Sequence, residues 1–256
     1  MSHPDQPERR RRGIYLLPNL FTTAALFSGF YAVLAAMNGK FEHAALAIFV
    51  AMLLDGLDGR VARLTNTQTA FGAEYDSLSD MVAFGLAPSL VMYVWSLSGL
   101  GKLGWLAAFV YTAGGALRLA RFNTQVGIAD KRYFQGLPSP AAAAVIAGCV
   151  WVGVEFGIAG DDLAYLTAGL TVIVGLLMVS NIRYNSFKEV DFRGKVPFFS
   201  IVVIMLAFAV LLVQTQLVLF LVFLVYAVSG PVLTLIHLRR RRAERKRIGR
   251  HPDPPP

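Results

Sequence analysis

The sequence predicts an all-α protein, a polytopic membrane bundle of about eight spanning helices with both termini in the cytoplasm. Composition is the first of three observations behind this expectation. Of 256 residues, 55% are hydrophobic and 16% charged, and the mean hydropathy of +0.55 lies outside the usual range for a soluble domain. The second is that apolar runs recur along almost the whole chain, each near the roughly 20 residues a helix needs to cross about 30 Å of hydrocarbon. The third is where the positive charge falls. With both ends inside, Lys40 and Lys102 are the only two of 24 basic residues that lie outside, as the cytoplasmic preference of Lys and Arg requires. An odd number of spans would break this segregation.

Taken in order, the runs lie near 16–37, 42–65, 73–98, 103–123, 138–157, 162–181, 197–213 and 216–238. The first is too long for a cleavable signal peptide and lacks a small-residue cleavage site. It ends at a brief outer connection near Gly39. The second returns inward and carries acidic residues in its inner half, and the third opens beside Thr69, a natural helix cap. A short outer link near Leu100 joins the third to the fourth. The inner loop Arg121 to Gly136 then leads to Pro138, Ser139 and Pro140, which suit the first turn of the fifth helix with Ser139 as its cap. Gly160 marks the outer link to the sixth, the inner loop Asn181 to Val196 precedes the seventh, and Gln214 separates the last two. Long inner loops and brief outer ones place function on the cytoplasmic side. Trp95, Trp105 and Trp151 fall toward outer helix ends, where a belt of interfacial aromatics is expected. Gly153 and Gly157 form a GxxxG spacing suited to helix packing.

Three segments follow: a basic cytoplasmic tail over 1–13, a membrane domain over 14–238, and a basic, Pro-ending tail over 239–256. The net charge of +8 is gathered largely into these tails, Arg9 to Arg12 and Arg239 to Arg250. They lack aromatics interleaved for base stacking, so the expected partners are anionic membrane lipids and not nucleic acid. Cys149 stands alone in an apolar run and reads as core packing. His3, His43, His237 and His251 are scattered singly, which argues against a histidine metal site.

Between the second and third runs the chain reads DGLDGRVARLTNTQTAFGAEYDSLSD, from Asp55 to Asp80. Four aspartates interrupt apolar segments here, and each intramembrane Asp costs roughly 2.5 to 3.5 kcal/mol on insertion scales. Asp55 and Asp58 are i, i+3, and Asp76 and Asp80 are i, i+4, so each pair shares a helix face. Because the two helices run in opposite directions, Asp55 and Asp80 share the deeper level and Asp58 and Asp76 the shallower one. Four ionised carboxylates would repel strongly, and two divalent cations would neutralise them. All-oxygen ligation favours Mg²⁺ or Mn²⁺, and a two-metal site suits phosphoryl transfer. Gly59 and Gly72 give backbone access to a bulky polar substrate, and Arg63 can grip phosphate. Each has a second reading: Gly59 as a close helix contact, Arg63 as a marker of the inner membrane edge, Thr69 as a cap alone. Glu74 falls on another face and stays outside the metal set.

At these residues the sequence resembles the CDP-alcohol phosphatidyltransferase family, whose signature is D-x-x-D-G-x-x-A-R, eight residues, then G-x-x-x-D-x-x-x-D. Asp55, Asp58, Gly59, Ala62, Arg63, Gly72, Asp76 and Asp80 occupy every fixed position. The resemblance implies that Asp55, Asp58 and Asp76 bind metal, while Asp80 contacts the second metal and acts as general base. It also implies CDP-diacylglycerol as donor, with Gly59, Arg63 and Thr69 on its phosphates and Gly72 leaving room for cytidine near Asn19 and Thr22. Asn19 can equally cap the first helix.

Three further stretches, LRLARFN at 117–123, GLPSPAAA at 136–143 and SNIRYNSFK at 180–188, resemble the branch of the family that uses L-serine as acceptor. That likeness implies an acceptor site among Arg118, Arg121, Asn123, Ser139, Arg183 and Lys188, with Arg121 or Arg183 pairing with the serine carboxylate. Inner-loop topology alone also accounts for those arginines. Homodimerisation is a further implication of the resemblance. Glycerol phosphate, an inositol compound or another amino alcohol remain alternative acceptors. A divalent-cation channel or transporter is the rival of a different class, and it leaves the glycines and arginines among the aspartates without a purpose.

Overall fold

In the computed structural model, residues 16–65, 67, 69–125, 133–185 and 213–248 are described. They form seven helical rods: α1 (Leu16–Met37), α2 (Phe41–Leu64), α3 (Ala70–Leu100), α4 (Lys102–Gln125), α5 (Ser139–Glu155), α6 (Ala164–Val179) and α7 (Thr215–Ile248). Each coincides with one of the eight expected runs. The remaining run, 197–213, lies almost wholly outside the described residues, as do the N-terminal tail and Lys188. Among the described residues, five helices are long and apolar enough to cross a membrane: Leu17–Met37, Ala70–Leu100, Lys102–Thr124, Gly160–Val179 and Thr215–Ile236. α5 is apolar but shorter, and α2 carries Asp55, Asp58, Arg60 and Arg63 in its second half. These helices make the chain an integral membrane protein.

Local chemistry explains the boundaries. Gly39 takes φ +71°, a left-handed conformation open to glycine, and the amides of Gly39 and Lys40 close onto the carbonyls of Ala36 and Ala35. α1 can therefore turn back at once, and it makes the most extensive helix–helix contact of the described residues, with α2. α3 is less regular than an uninterrupted α-helix. It runs as α-helix over Ala70–Asp80, widens to π-helix over Met81–Leu86, and widens again over Tyr93–Leu97. Pro88 lies in this stretch and has no N–H to offer the Phe84 carbonyl four residues back. The buried Tyr111 hydroxyl donates to that carbonyl instead, at 3.0 Å.

Small residues set the helix crossings. A Cβ on Gly114 of α4 would stand 2.4 Å from the Gly175 carbonyl oxygen of α6, and one on Gly175 would meet the Tyr111 backbone at 2.8 Å. Backbones this close gain dispersion contacts without any hydrophobic drive from lipid. The core is rich in alanine, with Ala32, Ala44, Ala83, Ala142 and Ala147 among its buried members, while large apolar side chains such as Phe27, Phe109, Leu166 and Val225 point outward.

Two expectations change here. Trp95 and Trp151 are buried in the core, and Trp105 alone of the three is exposed. The outer belt is therefore not built from all three, because the Trp95 indole fills a gap that a small residue leaves and the Trp151 ring packs against Phe49. Gly153 leaves that gap: a Cβ there would lie 2.4 Å from the Trp95 ring. Gly157 is past the end of α5 at φ +66°, so the GxxxG pair serves one ring seat and one turn.

On the side opposite the Gly39 turn, a short antiparallel ladder adds to the all-α expectation. β1 (Tyr133–Gln135) pairs with β2 (Arg183–Asn185), with Phe134 opposite Tyr184. Gly136 follows β1 at φ +77°, and a Cβ there would strike the Met178 carbonyl oxygen at 2.2 Å. Only glycine lets this loop lie against the end of α6.

Candidate active site

α1, α2 and α3 converge around the acidic segment. The side chains of Asp55, Asp76 and Asp80 each offer a carboxylate oxygen to a group whose members all lie within 4.8 Å of one another. Asp55 and Asp80 come within hydrogen-bonding reach, the pairing that opposed helix directions require. Asp58 stands at the shallower level with Asp76, and the two line one open cleft. Asp58 is 5% exposed and accepts a 2.7 Å hydrogen bond from the Thr22 hydroxyl.

Pro18, Asn19 and Thr22 of α1, Gly59 and Ala62 of α2, and Thr69, Gly72 and Ala73 at the start of α3 complete the cleft wall. A Cβ on Gly59 would meet nothing within 4 Å. Gly59 is thus not a close helix contact, and its missing side chain adds to open space. Gly72 differs, since a Cβ there would stand 3.1 Å from Thr69 Oγ1 and 3.5 Å from Asn19 Oδ1. Thr69 is the N-cap of α3, accepting from the Gly72 amide at 3.0 Å. Capping and lining the cleft are therefore one arrangement. Thr22, expected near a nucleotide base, has its hydroxyl on Asp58. Arg63 is exposed on the last turn of α2 and does not line the cleft.

The inner-face residues divide into groups. Arg118 of α4 lies within electrostatic reach of Asp80 and Asp55 and donates to the buried hydroxyl of Ser139. Ser139 makes no side-chain cap bond, the N-cap of α5 being Pro138. The expected cap is thus an acceptor for Arg118. Asn123 exchanges hydrogen bonds with Ser77, at 3.0 and 3.2 Å, one residue beyond Asp76. Arg121 points instead to the end of α6, donating to the Ser180 carbonyl and to Asn181 Oδ1. Arg183 lies in β2.

Pro18, Ala62 and Ala73 line the cleft as well, beyond the donor-binding residues expected from the sequence. Ala62 was legible, four residues after Asp58 and therefore on its helix face. Pro18 and Ala73 carry no polar signal and become visible only once α1 is docked.

Three convergent carboxylates, with a fourth beside them, form a hard oxygen donor set, so this site fits a divalent cation. Close apposition of acidic groups in an apolar protein is otherwise unfavourable. The arrangement offers charge for a cation, room for a polar headgroup and a guanidinium at the deep end.

Comparison with known proteins agrees with this chemistry. Residues 15–177 match the family model described as CDP-alcohol phosphatidyltransferase. A protein of Helicobacter pylori strain J99 named CDP-diacylglycerol–serine O-phosphatidyltransferase is 41% identical over 195 residues, covering 76% of this chain and 82% of the relative. Proteins of the same name are 36% identical in Mycobacterium tuberculosis H37Rv, over 72% of this chain and 66% of the relative, and 38% identical in Methanocaldococcus jannaschii, over 56% and 63%. With its four aspartates gathered between α2 and α3 and the family model matched over residues 15–177, the chain belongs to the CDP-alcohol phosphatidyltransferase family.

Proposed function

We propose that the protein is a phosphatidylserine synthase, which transfers the phosphatidyl group of CDP-diacylglycerol to the hydroxyl of L-serine with release of CMP. The observation that carries this reading is the position of Arg118, held by the Ser139 hydroxyl and within electrostatic reach of Asp55 and Asp80, at the deep end of the aspartate cluster. A guanidinium there matches an acceptor that carries a carboxylate. The names of the relatives support the same acceptor.

Asp55, Asp58, Asp76 and Asp80 would hold two divalent cations, Mg²⁺ or Mn²⁺. When bound, these cations supply charge neutralisation to the diphosphate and to the leaving CMP. The protein's own groups do the rest. Asp80 takes the proton of the serine hydroxyl, whose oxygen forms a bond to the phosphatidyl phosphorus in line with the phosphorus–oxygen bond that breaks to CMP. Thr22 fixes the Asp58 carboxylate by its 2.7 Å bond. Gly59, Thr69 and Gly72 leave the cleft open to the diphosphate and cytidine, while the acyl chains stay in the leaflet beside α1. This chemistry belongs on the cytoplasmic side of the cell membrane, where water-soluble serine meets a lipid donor. Homodimerisation and anionic-lipid contact by the basic tails belong to the same proposal.

The test uses purified protein in mixed micelles with CDP-diacylglycerol and Mn²⁺ or Mg²⁺. CMP release is expected on adding serine, but not glycerol phosphate or inositol phosphate. Release with one of the latter and not with serine would reassign the acceptor. Metal flux without CMP release would reassign the class.

A further inference from the structure

α7 contains a proline at 231. A helical proline leaves the carbonyl four residues back without its amide donor, here Ala227 in a buried position. The Tyr184 hydroxyl donates to that carbonyl at 2.9 Å. Tyr184 is 1% exposed, and its ring lies on Gly230, where a Cβ would come within 2.4 Å of it. The neighbouring Tyr226 ring stands 5.5 Å away, tilted by 49°. Tyr184 is therefore seated by shape on Gly230 and Tyr226, and by a directed bond on Ala227.

Tyr184 is also the central residue of β2. Its strand partner is Phe134 in β1, and β1 leads through Gly136, whose amide donates to the Ile182 carbonyl at 2.8 Å, and Leu137, whose amide donates to Leu177 at 3.0 Å. Two residues on stands Ser139, the hydrogen-bond acceptor of Arg118. A continuous set of contacts thus runs from the break in α7, across the ladder, to the guanidinium beside Asp55 and Asp80. Tyr226 approaches Arg118 from the α7 side.

We infer that Tyr184 is a positioning residue for the acceptor: its bond to the Ala227 carbonyl, at the break Pro231 makes in α7, seats the β1–β2 ladder so that Ser139 holds Arg118 where a small hydroxy acid must bind. The inference rests on the reading of the site as one for a carboxylate-bearing alcohol. Tyr184 touches no substrate and acts through Ser139 and Arg118. The donor cleft, built from α1, α2 and α3, does not depend on it.

Tyr184→Phe removes the hydroxyl and keeps the ring. Loss of one hydrogen bond of this kind should raise the KM for serine about three- to tenfold. The kcat and the KM for CDP-diacylglycerol should stay within about twofold. Hydrogen exchange in detergent should quicken at the ladder amides and at Gly136, and not in α1 or α2. Ser139→Ala breaks the far end of the same path and should give the same KM-selective change. If Tyr184→Phe does not fold, an unchanged KM for serine in Ser139→Ala still overturns the inference. Unchanged kinetics in both variants, or equal losses toward donor and acceptor, overturn the inference. Failure of the wild-type protein to release CMP with serine defeats the functional reading instead. Exchange at the ladder then judges the latch alone, and unchanged exchange in Tyr184→Phe overturns it.

Discussion

At the scale of single residues, the aspartates have distinct surroundings. Asp80 shares the deeper level with Asp55, in hydrogen-bonding reach of it and near Arg118, whereas Asp58 is buried against Thr22. Asp80→Asn keeps the shape and removes the base, so turnover should fall by about 10²- to 10⁴-fold with the donor still bound. Equilibrium binding of CDP-diacylglycerol beside a CMP-release assay checks both halves. Thr22→Val should act differently, because it frees the Asp58 carboxylate to rotate while leaving its charge. The metal concentration needed for half-maximal activity should rise several-fold with little loss of thermal stability, about 1 kcal/mol or less. The residues themselves were legible in the sequence, since only aspartate at i, i+3 and i, i+4 explains so many carboxylates in apolar helices. Thr22's attachment to Asp58 was not, because it depends on how α1 docks 36 positions away.

α3 was legible as one apolar run, but its two π-helical stretches were not, since nothing in the composition marks where an apolar helix widens. The first begins directly after Asp80, and such widenings recur at functional sites. The Gly114–Gly175 crossing was equally hidden, because a glycine in an apolar helix looks alike whether or not another backbone touches it. Gly175→Leu should force α4 and α6 apart and lower the melting temperature in detergent markedly. Gly59→Leu, facing open space, should leave stability nearly unchanged and raise the KM for the donor. A similar melting loss in both variants would contradict the distinction drawn between these glycines.

For the whole molecule, seven of the eight expected runs appear as helices in the described residues, because bilayer thickness dictates segment length and leaves composition little freedom. The Lys and Arg segregation offers an orientation that a labelling experiment can check. Cysteines placed at Lys40 and Lys102 in a Cys149→Ala background should react with an impermeant maleimide from outside intact cells, and one at Arg121 should not. α7 continues through its basic end to Ile248. Its 34 residues span about 50 Å, well beyond the hydrocarbon core. That projection was not legible, since charge marks where a span leaves the bilayer and not where its helix ends.

The claim on which the account depends is that serine's own oxygen attacks the phosphatidyl phosphorus. The direct measurement supplies serine labelled with heavy oxygen at the hydroxyl, with CDP-diacylglycerol and Mn²⁺, and weighs both products by mass spectrometry. The phosphatidylserine formed should retain the label, and the CMP should carry none. Phosphatidylserine without the label, or no phosphatidylserine formed, would contradict that claim.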